Sequence, residues 1–127
     1  MLVRRFDTGS TFEEIAGYSR GVRRGGFVFL SGITGFDYDR MEIEEPVERQ
    51  VMRATKNVDK ALAALGARRE DVVQCNWVVS EAEYFETAGR LLRQYFSETK
   101  PAMMTLVASM IDPRMKFEVQ VTAMLTE

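Results

Sequence analysis

Histidine is absent from the 127 residues of this chain. With it go the Ser-His-Asp and Cys-His nucleophiles, imidazole acid–base work near neutral pH and every zinc site that needs an imidazole. Any chemistry falls to carboxylates, Tyr, Lys, Arg or the backbone. Cysteine is nearly absent: Cys75 stands alone and cannot close an internal disulfide, as expected in a reducing compartment. Its neighbours Val72, Val73, Trp77 and Val79 mark a buried strand thiol more than a reactive one. Long apolar runs are missing too. Nothing approaches the roughly 18 residues of a membrane span, and the opening MLVRRFDTGS has no apolar signal stretch. The expectation is a cytoplasmic protein without a membrane partner. Nor does one sign of charge dominate: 17 basic against 19 acidic side chains leave a net charge of −2, so no global positive field draws in nucleic acid. An anion must be recognised locally.

Of what is present, the 46% hydrophobic and 28% charged shares exclude a disordered chain. The length fits one domain, residues 1–127. Two β-rich segments, Tyr18 to Val22 and Phe27 to Ser31, flank the turn-like Arg23-Arg24-Gly25-Gly26 and read as a hairpin. Residues Ser31 to Pro46 read as a long loop. Pro46 then opens a helix in which Val47, Val51, Ala54, Val58, Ala61, Leu62 and Leu65 recur at helical spacing, stopped by Gly66. Val72 to Val79 is the next strand, and Phe85, Ala88, Leu92 and Phe96 mark a second helix. Met103 to Met110 and Met115 to Leu125 complete the strands, joined through Asp112-Pro113-Arg114. The order β, β, α, β, α, β, β predicts a two-layer α+β domain, one mixed sheet with two helices on one face. The penultimate strand is apolar on both faces: Met104, Leu106, Ala108 and Met110 alternate with Met103, Thr105 and Val107. Two helices cannot cover both faces, so the pattern predicts an obligate homo-oligomer.

On the last strand Phe117, Val119, Val121, Ala123 and Leu125 should face the helices, which turns Glu118 to the face a partner subunit would cover. A carboxylate there is either an interface salt bridge or a group that activates water and shuttles protons. Ser31-Gly32 ends a strongly apolar strand. It reads as a plain turn, or as backbone that lets a small ligand approach closely. Tyr18 offers a phenol at a pocket rim or a packed ring with a satisfied hydroxyl. The acidic run Asp37, Asp39, Glu42, Glu44 and Glu45 lacks the spacing of a calcium loop and reads as solvated. Arg20, Arg23 and Arg24 form the basic cluster, an anion grip or a solvated edge strand. Eight methionines, with no histidine beside them, read as core and interface filler and not as metal ligands.

YSRGVRRGGFVFLSGITG at 18–35, the helix of Gln50 and Asn57 continuing into ALAALGA, DVV at 71–73, YF at 95–96, PA at 101–102 and FEVQVTA at 117–123 together resemble the RidA/YjgF family over nearly the whole chain. The resemblance implies a chorismate-mutase-like α+β fold assembled as a homotrimer, with a central barrel of sheets, helices outside and ligand pockets between subunits. It also implies hydrolysis of reactive enamines and imines, such as 2-aminoacrylate and 2-iminopropanoate, to a 2-keto acid and ammonia without metal or organic cofactor. In the family an arginine directly after Pro-Ala grips the substrate carboxylate, and a glutamate on the last strand orients water with backbone groups. The glutamate corresponds to Glu118, the pocket tyrosine to Tyr18, the serine and glycine to Ser31 and Gly32, and the aromatic wall to Phe85.

Met103 stands where that arginine is expected. A charge-assisted bidentate contact contributes about 1.5–3 kcal/mol, so its loss implies a 10- to 150-fold penalty, on the order of one to two decades, for a carboxylate substrate unless Arg20, Arg24 or Arg93 replaces it. Gly89 likewise takes a position where the deaminating branch often has a polar residue. The expectation is a deaminase-like hydrolase of a small molecule other than the simple 2-imino acids. The alternative is a non-catalytic metabolite binder with Met103 as an apolar wall. Ribonuclease or translation-inhibitor activity, attributed to relatives, is disfavoured by the acidic charge and the missing histidine.

Overall fold

Pro46 supplies no N–H at the point where a starting helix cannot use one, and the longest apolar stripe of the chain follows it as a helix. The computed structural model describes residues 3–126. In chain order its elements are β1 (Val3–Phe6), α1 (Thr11–Ala16), β2 (Gly21–Arg24), β3 (Phe27–Leu30), β4 (Ile33–Thr34), β5 (Phe36–Asp37), β6 (Glu42–Ile43), α2 (Val47–Ala64), β7 (Val72–Val79), α3 (Phe85–Phe96), β8 (Ala102–Val107) and β9 (Phe117–Met124). The predicted stripe of α2 is buried. Gly66, at φ +82°, turns the chain away in the left-handed region that a side chain disfavours.

Beneath α2 the alternation of β9 buries Phe117, Val119, Val121 and Ala123, as a period of two requires. β7 lies antiparallel beside it and turns Cys75, Trp77 and Val79 to the same side. Burial pushes the Cys75 thiol up to about 12, so it is an inert core group. α3 packs on α2 and carries the chain across to β8, which is parallel to β7, the crossover that a parallel pair needs. The hairpin of β2 and β3 joins the other side of β9, giving the order β1-β2-β3-β9-β7-β8. The fold is therefore α+β with one mixed sheet whose inner face carries the two long helices. No helix among the described residues is long and apolar enough to cross a membrane.

Several elements depart from the sequence reading. β1 and α1 are additional, so the α-helices among the described residues number three. α1 has only 6 residues, too few for a periodic signal, and is fixed by caps: Ser10 Oγ accepts from Glu13 N at 3.2 Å, and Gly17 closes it at φ +70°. Tyr18 lies in the link after α1, not on a strand, because its N–H bonds back to Glu13 O at 3.2 Å and pairing begins at Gly21. The penultimate strand ends at Val107, short of Met110.

The expected long loop instead contains β4, paired to β9, and the β5–β6 hairpin. Two polar side chains on the inner side of α2 hold it. Asn57 Nδ2 donates to the carbonyls of Thr34 and Phe36 at 3.0 and 2.9 Å. Gln50, fully buried, donates to the carbonyls of Glu44 and Arg114 at 2.9 Å each and accepts from Lys116 N at 2.8 Å. Removing these partners strands three backbone groups. Gln50→Ala is expected to lower stability by about 2–4 kcal/mol, read as a lower urea midpoint at matched protein concentration; a change under about 0.5 kcal/mol would show that water replaces the amide.

Candidate functional site

Glu118 has the opposite parity to the buried residues of β9 and so projects from the outer face of the sheet, away from the helices. There it enters a cleft of about 330 Å³ lined by Gly32, Asn76, Val78, Met104, Leu106 and Gln120. Gly32 is the floor of its seat. A Cβ at Gly32 would lie 3.0 Å from Glu118 Cδ and nearer still to Oε2, so only glycine leaves room for the carboxylate. Burial pushes the carboxyl above its ordinary range, and the charge of Arg20 opposes this. A raised folded-state value means that folding favours the protonated form. The ionised carboxylate therefore costs stability once pH rises through that value.

Behind Gly32 lies a buried ion pair. Arg20 directs Nε and Nη2 to Glu13 Oε2 at 3.2 and 3.0 Å and Nη1 to the Gly32 carbonyl at 2.6 Å. Its Nη2 also reaches Ser10 Oγ at 3.3 Å and Tyr18 Oη at 3.4 Å, and the Tyr38 ring lies 4.2 Å from the guanidinium carbon. Burial raises the acid of Glu13, but the Thr8 hydroxyl and N–H, the Arg20 charge and Ser10 outweigh it and hold the carboxyl below its ordinary range. The stability this gives is present above the ordinary carboxylate range and is lost as pH falls through the lowered value.

The remaining expected site residues divide into two groups. Ser31 is next to Gly32, but its Oγ donates to Ser19 O at 2.6 Å and its N–H to Arg20 O at 2.9 Å, closing the chain behind the cleft. Tyr18 is part of the Arg20 cluster. Phe85 and Met103 lie across the sheet. Phe85 stacks on Trp77, centroids 5.4 Å apart and planes 11° apart, and a Cβ at Gly89 would meet the same indole at 3.6 Å, an ordinary contact distance. Met103 pairs with Cys75, which faces the helices, so it occupies the opposite face from Glu118. Arg20, Arg24 and Arg93, the arginines considered as its replacement, are placed elsewhere, as is Arg23 of the basic cluster. Arg20 is engaged as described, Arg23 donates to the carbonyls of Gly25 and Leu65 at 2.9 and 3.1 Å, Arg24 is exposed at the end of β2, and Arg93 lines a separate surface cleft with Arg90 and Lys100.

The sequence model of the family described as endoribonuclease L-PSP matches residues 8–125. The chain belongs to this family, the RidA/YjgF family. It is 28% identical over 108 residues to a RutC family protein of Aquifex aeolicus, covering 84% of this chain and 86% of that one. Over 109 residues it is 28% identical to the chloroplastic Reactive Intermediate Deaminase A of Arabidopsis thaliana, covering 85% of this chain and 58% of that longer one. To a 2-iminobutanoate/2-iminopropanoate deaminase of Dermatophagoides farinae it is 25% identical over 109 residues, 85% of each chain. A crystal structure of a Mycobacterium tuberculosis member of the YjgF/YER057c/UK114 family superposes with a TM-score of 0.89 at 27% identity, covering 98% of this chain and 100% of that one.

In this RidA/YjgF chain, Asn76, Gln120, Met104 and Leu106 share the cleft with Glu118 and were not singled out from sequence. Strand parity alone puts all of them on the outer face. What was missing was the strand order, which sets Val78 beside Glu118 and Asn76 beside Gln120. Asn76 Oδ1 is buried and finds no hydrogen-bond partner among the described residues. No cluster of three or more Cys, Asp and Glu among the described residues could hold a metal ion. One consequence concerns Gly32→Ala. It is expected to fold with stability within about 1 kcal/mol of the parent, because the obstructed atoms end a flexible side chain. It is also expected to expel the carboxylate, moving its titration down toward the ordinary value, as carboxyl NMR across a pH series would read. An unmoved Glu118 would show that Gly32 does not define its seat.

Proposed function

We propose that this chain acts as a homotrimer whose sheets line a central barrel and whose clefts between subunits hydrolyse an enamine- or imine-type metabolite to a carbonyl compound and ammonia. The observation that carries the reading is Glu118, a half-buried carboxylate seated on Gly32 in a cleft of the bare outer face. That face presents Phe27, Phe29, Met104, Leu106 and Met124, all large, apolar and exposed in one chain, a surface that calls for a second copy. β8 is bare on its other side as well, at Met103 and Val107. A neighbour seated on this edge would supply the apolar and aromatic wall, Met103 and Phe85, that a single chain keeps away from its own Glu118. The deaminase names of two relatives support the reaction class.

The chemistry balances without imidazole. Water adds to the C=N carbon while Glu118 accepts its proton. Glu118 returns that proton to the nitrogen of the resulting carbinolamine; the C–N bond then breaks as the hydroxyl oxygen's lone pair forms the carbonyl, the hydroxyl proton passes back to Glu118, and ammonia leaves, taking up that proton. Tyr18, Ser31 and Gly32 shape the wall behind the carboxylate. With Met103 in the arginine's place, the preferred substrate is not 2-iminopropanoate. The same cleft without turnover would make the protein a metabolite binder.

The test generates imines in situ, 2-imino acids with an amino-acid oxidase and carboxylate-free aldimines with an amine oxidase, and follows ammonia release. The protein is expected to accelerate the carboxylate-free class, and Glu118→Gln to reduce that acceleration by about 10²- to 10⁴-fold. Met103→Arg should raise activity on 2-iminopropanoate by about 10- to 150-fold. Parent activity on 2-iminopropanoate equal to that of arginine-bearing relatives would refute the role given to Met103, and inertness toward every imine would leave the binder. Light scattering should give about three times the 14.5 kDa of one chain; a stable monomer would remove the shared cleft.

A further inference from the structure

The fold removes the Arg20 side chain almost wholly from water, with 1% of its surface exposed. A guanidinium cannot discharge itself by losing a proton, so its burial must be met by bonded partners. Most of them tie it to the amino-terminal turn: Glu13, Ser10 and Tyr18, at 3.0–3.4 Å. Its shortest bond, 2.6 Å, leaves this cluster and ends on the Gly32 carbonyl. Glu13 is itself fixed by Thr8 N at 2.9 Å, by Gly9 N at 3.3 Å and by the Thr8 hydroxyl. The anchor is therefore rigid on the side away from the cleft.

We propose that Arg20 is a positioning residue for Glu118: it holds the Gly32 backbone on which the carboxylate is seated and fixes a positive charge behind that seat. The inference rests on the reading of Glu118 as the carboxylate that handles water. A link serving only to pin α1 to the hairpin would need Glu13 and Ser10 but not the bond to Gly32. The other groups around Glu118 do not supply this charge. β4 places Thr34 opposite it, β7 contributes Asn76 and Val78, and β8 contributes Met104 and Leu106. On β9, Gln120 is neutral and the Lys116 ammonium lies over the Tyr84 ring at 5.6 Å. Of the groups behind Gly32, Tyr18 and Tyr38 are phenols and Glu13 is paired to Arg20. The direction of the Arg20 effect on Glu118, downward against the upward push of burial, agrees with this placement.

The test uses the full chain with ¹³C-labelled glutamate side chains and follows the Glu118 carboxyl by NMR over pH. Arg20→Gln alone leaves Glu13 buried without its cation and is at risk of not folding, so the decisive variant is Arg20→Gln with Glu13→Gln, which keeps volume and hydrogen-bonding capacity. In it Glu118 should titrate at higher pH than in the parent, and the inflection of the pH profile of imine hydrolysis should move the same way. Arg20→Lys keeps the charge but loses the fork. It should retain the parent inflection with a lower kcat. A Glu118 titration that stays put or moves down in the folded double variant overturns the proposal, as does parent-like kcat in Arg20→Lys. The NMR reading does not depend on turnover. A shifted Glu118 in a protein inert to all imines would sink the reaction and keep Arg20's role, whereas an active enzyme with unshifted Glu118 would sink only the role of Arg20.

Discussion

A charge that has left water must be bonded on every side, and at Arg20 that requirement organises the amino-terminal third of the molecule. The carboxylate that answers it, Glu13, needs a helical turn to reach it. That turn needs the Ser10 cap at one end and Gly17 at the other. Tyr18 and Tyr38 close over the guanidinium, and the bond to the Gly32 carbonyl carries the constraint through to the outer face of the sheet. Breaking such a pair by removing one partner costs about 3–5 kcal/mol, whereas an apolar replacement of both is often neutral. Stability alone therefore gives a weak reason for an ion pair in this place. What an apolar replacement could not do is fix a carbonyl and a positive charge behind Glu118.

The middle and end of the chain were legible because their signals are local and periodic. The α2 stripe, the Gly66 stop, the alternation of β9 and the two-faced apolar character of β8 each follow from residue spacing; the first and third match the burial found, Gly66 turns the chain at φ +82°, and β8 is exposed along most of its length. The parity of Glu118 came from the same alternation. The beginning was not legible for the opposite reason. α1 and β1 are short, and β4 to β6 hold few residues each. They are stabilised by partners far away in sequence: Asn57 and Gln50 on α2 bond the backbone of 34–46, and Arg20 bonds Gly32. The basic run Arg20, Arg23 and Arg24 could not be resolved from sequence for a related reason. A surface cluster and a set of arginines engaged by carbonyls have the same composition, and burial separates them.

Strand order also decided which expected site residues meet. Glu118 and Gly32 are together because β4 and β9 pair. Met103 is removed from both because β8 pairs with β7 in a register that aligns Met103 with Cys75. The face that carries Glu118 and the edge that carries Met103 share one property, that nothing among the described residues covers them. An open parallel edge and a bare apolar sheet face are both configurations that proteins normally close. Under the proposed trimer a single act of association closes both and completes the cleft.

The charge inside that cleft then limits what it can hold. Its walls are Met104, Leu106 and Val78, its polar groups are Asn76 and Gln120, and its one ionisable side chain is Glu118. A second anion brought within about 4 Å of ionised Glu118 would meet repulsion on the order of 4 kcal/mol at an effective dielectric near 20. In the family pattern a guanidinium after Pro-Ala offsets that repulsion. Under the proposed correspondence that side chain is here the thioether of Met103, and Arg20, with each of its three nitrogens bonded within the protein, does not line the cleft. A protonated imine, by contrast, is a cation and gains from the same carboxylate that repels an acid. Under the proposed function such an arrangement would select by sign: it would favour a C=N group carrying positive charge on an otherwise neutral, apolar body, and disfavour the carboxylate that defines a 2-imino acid.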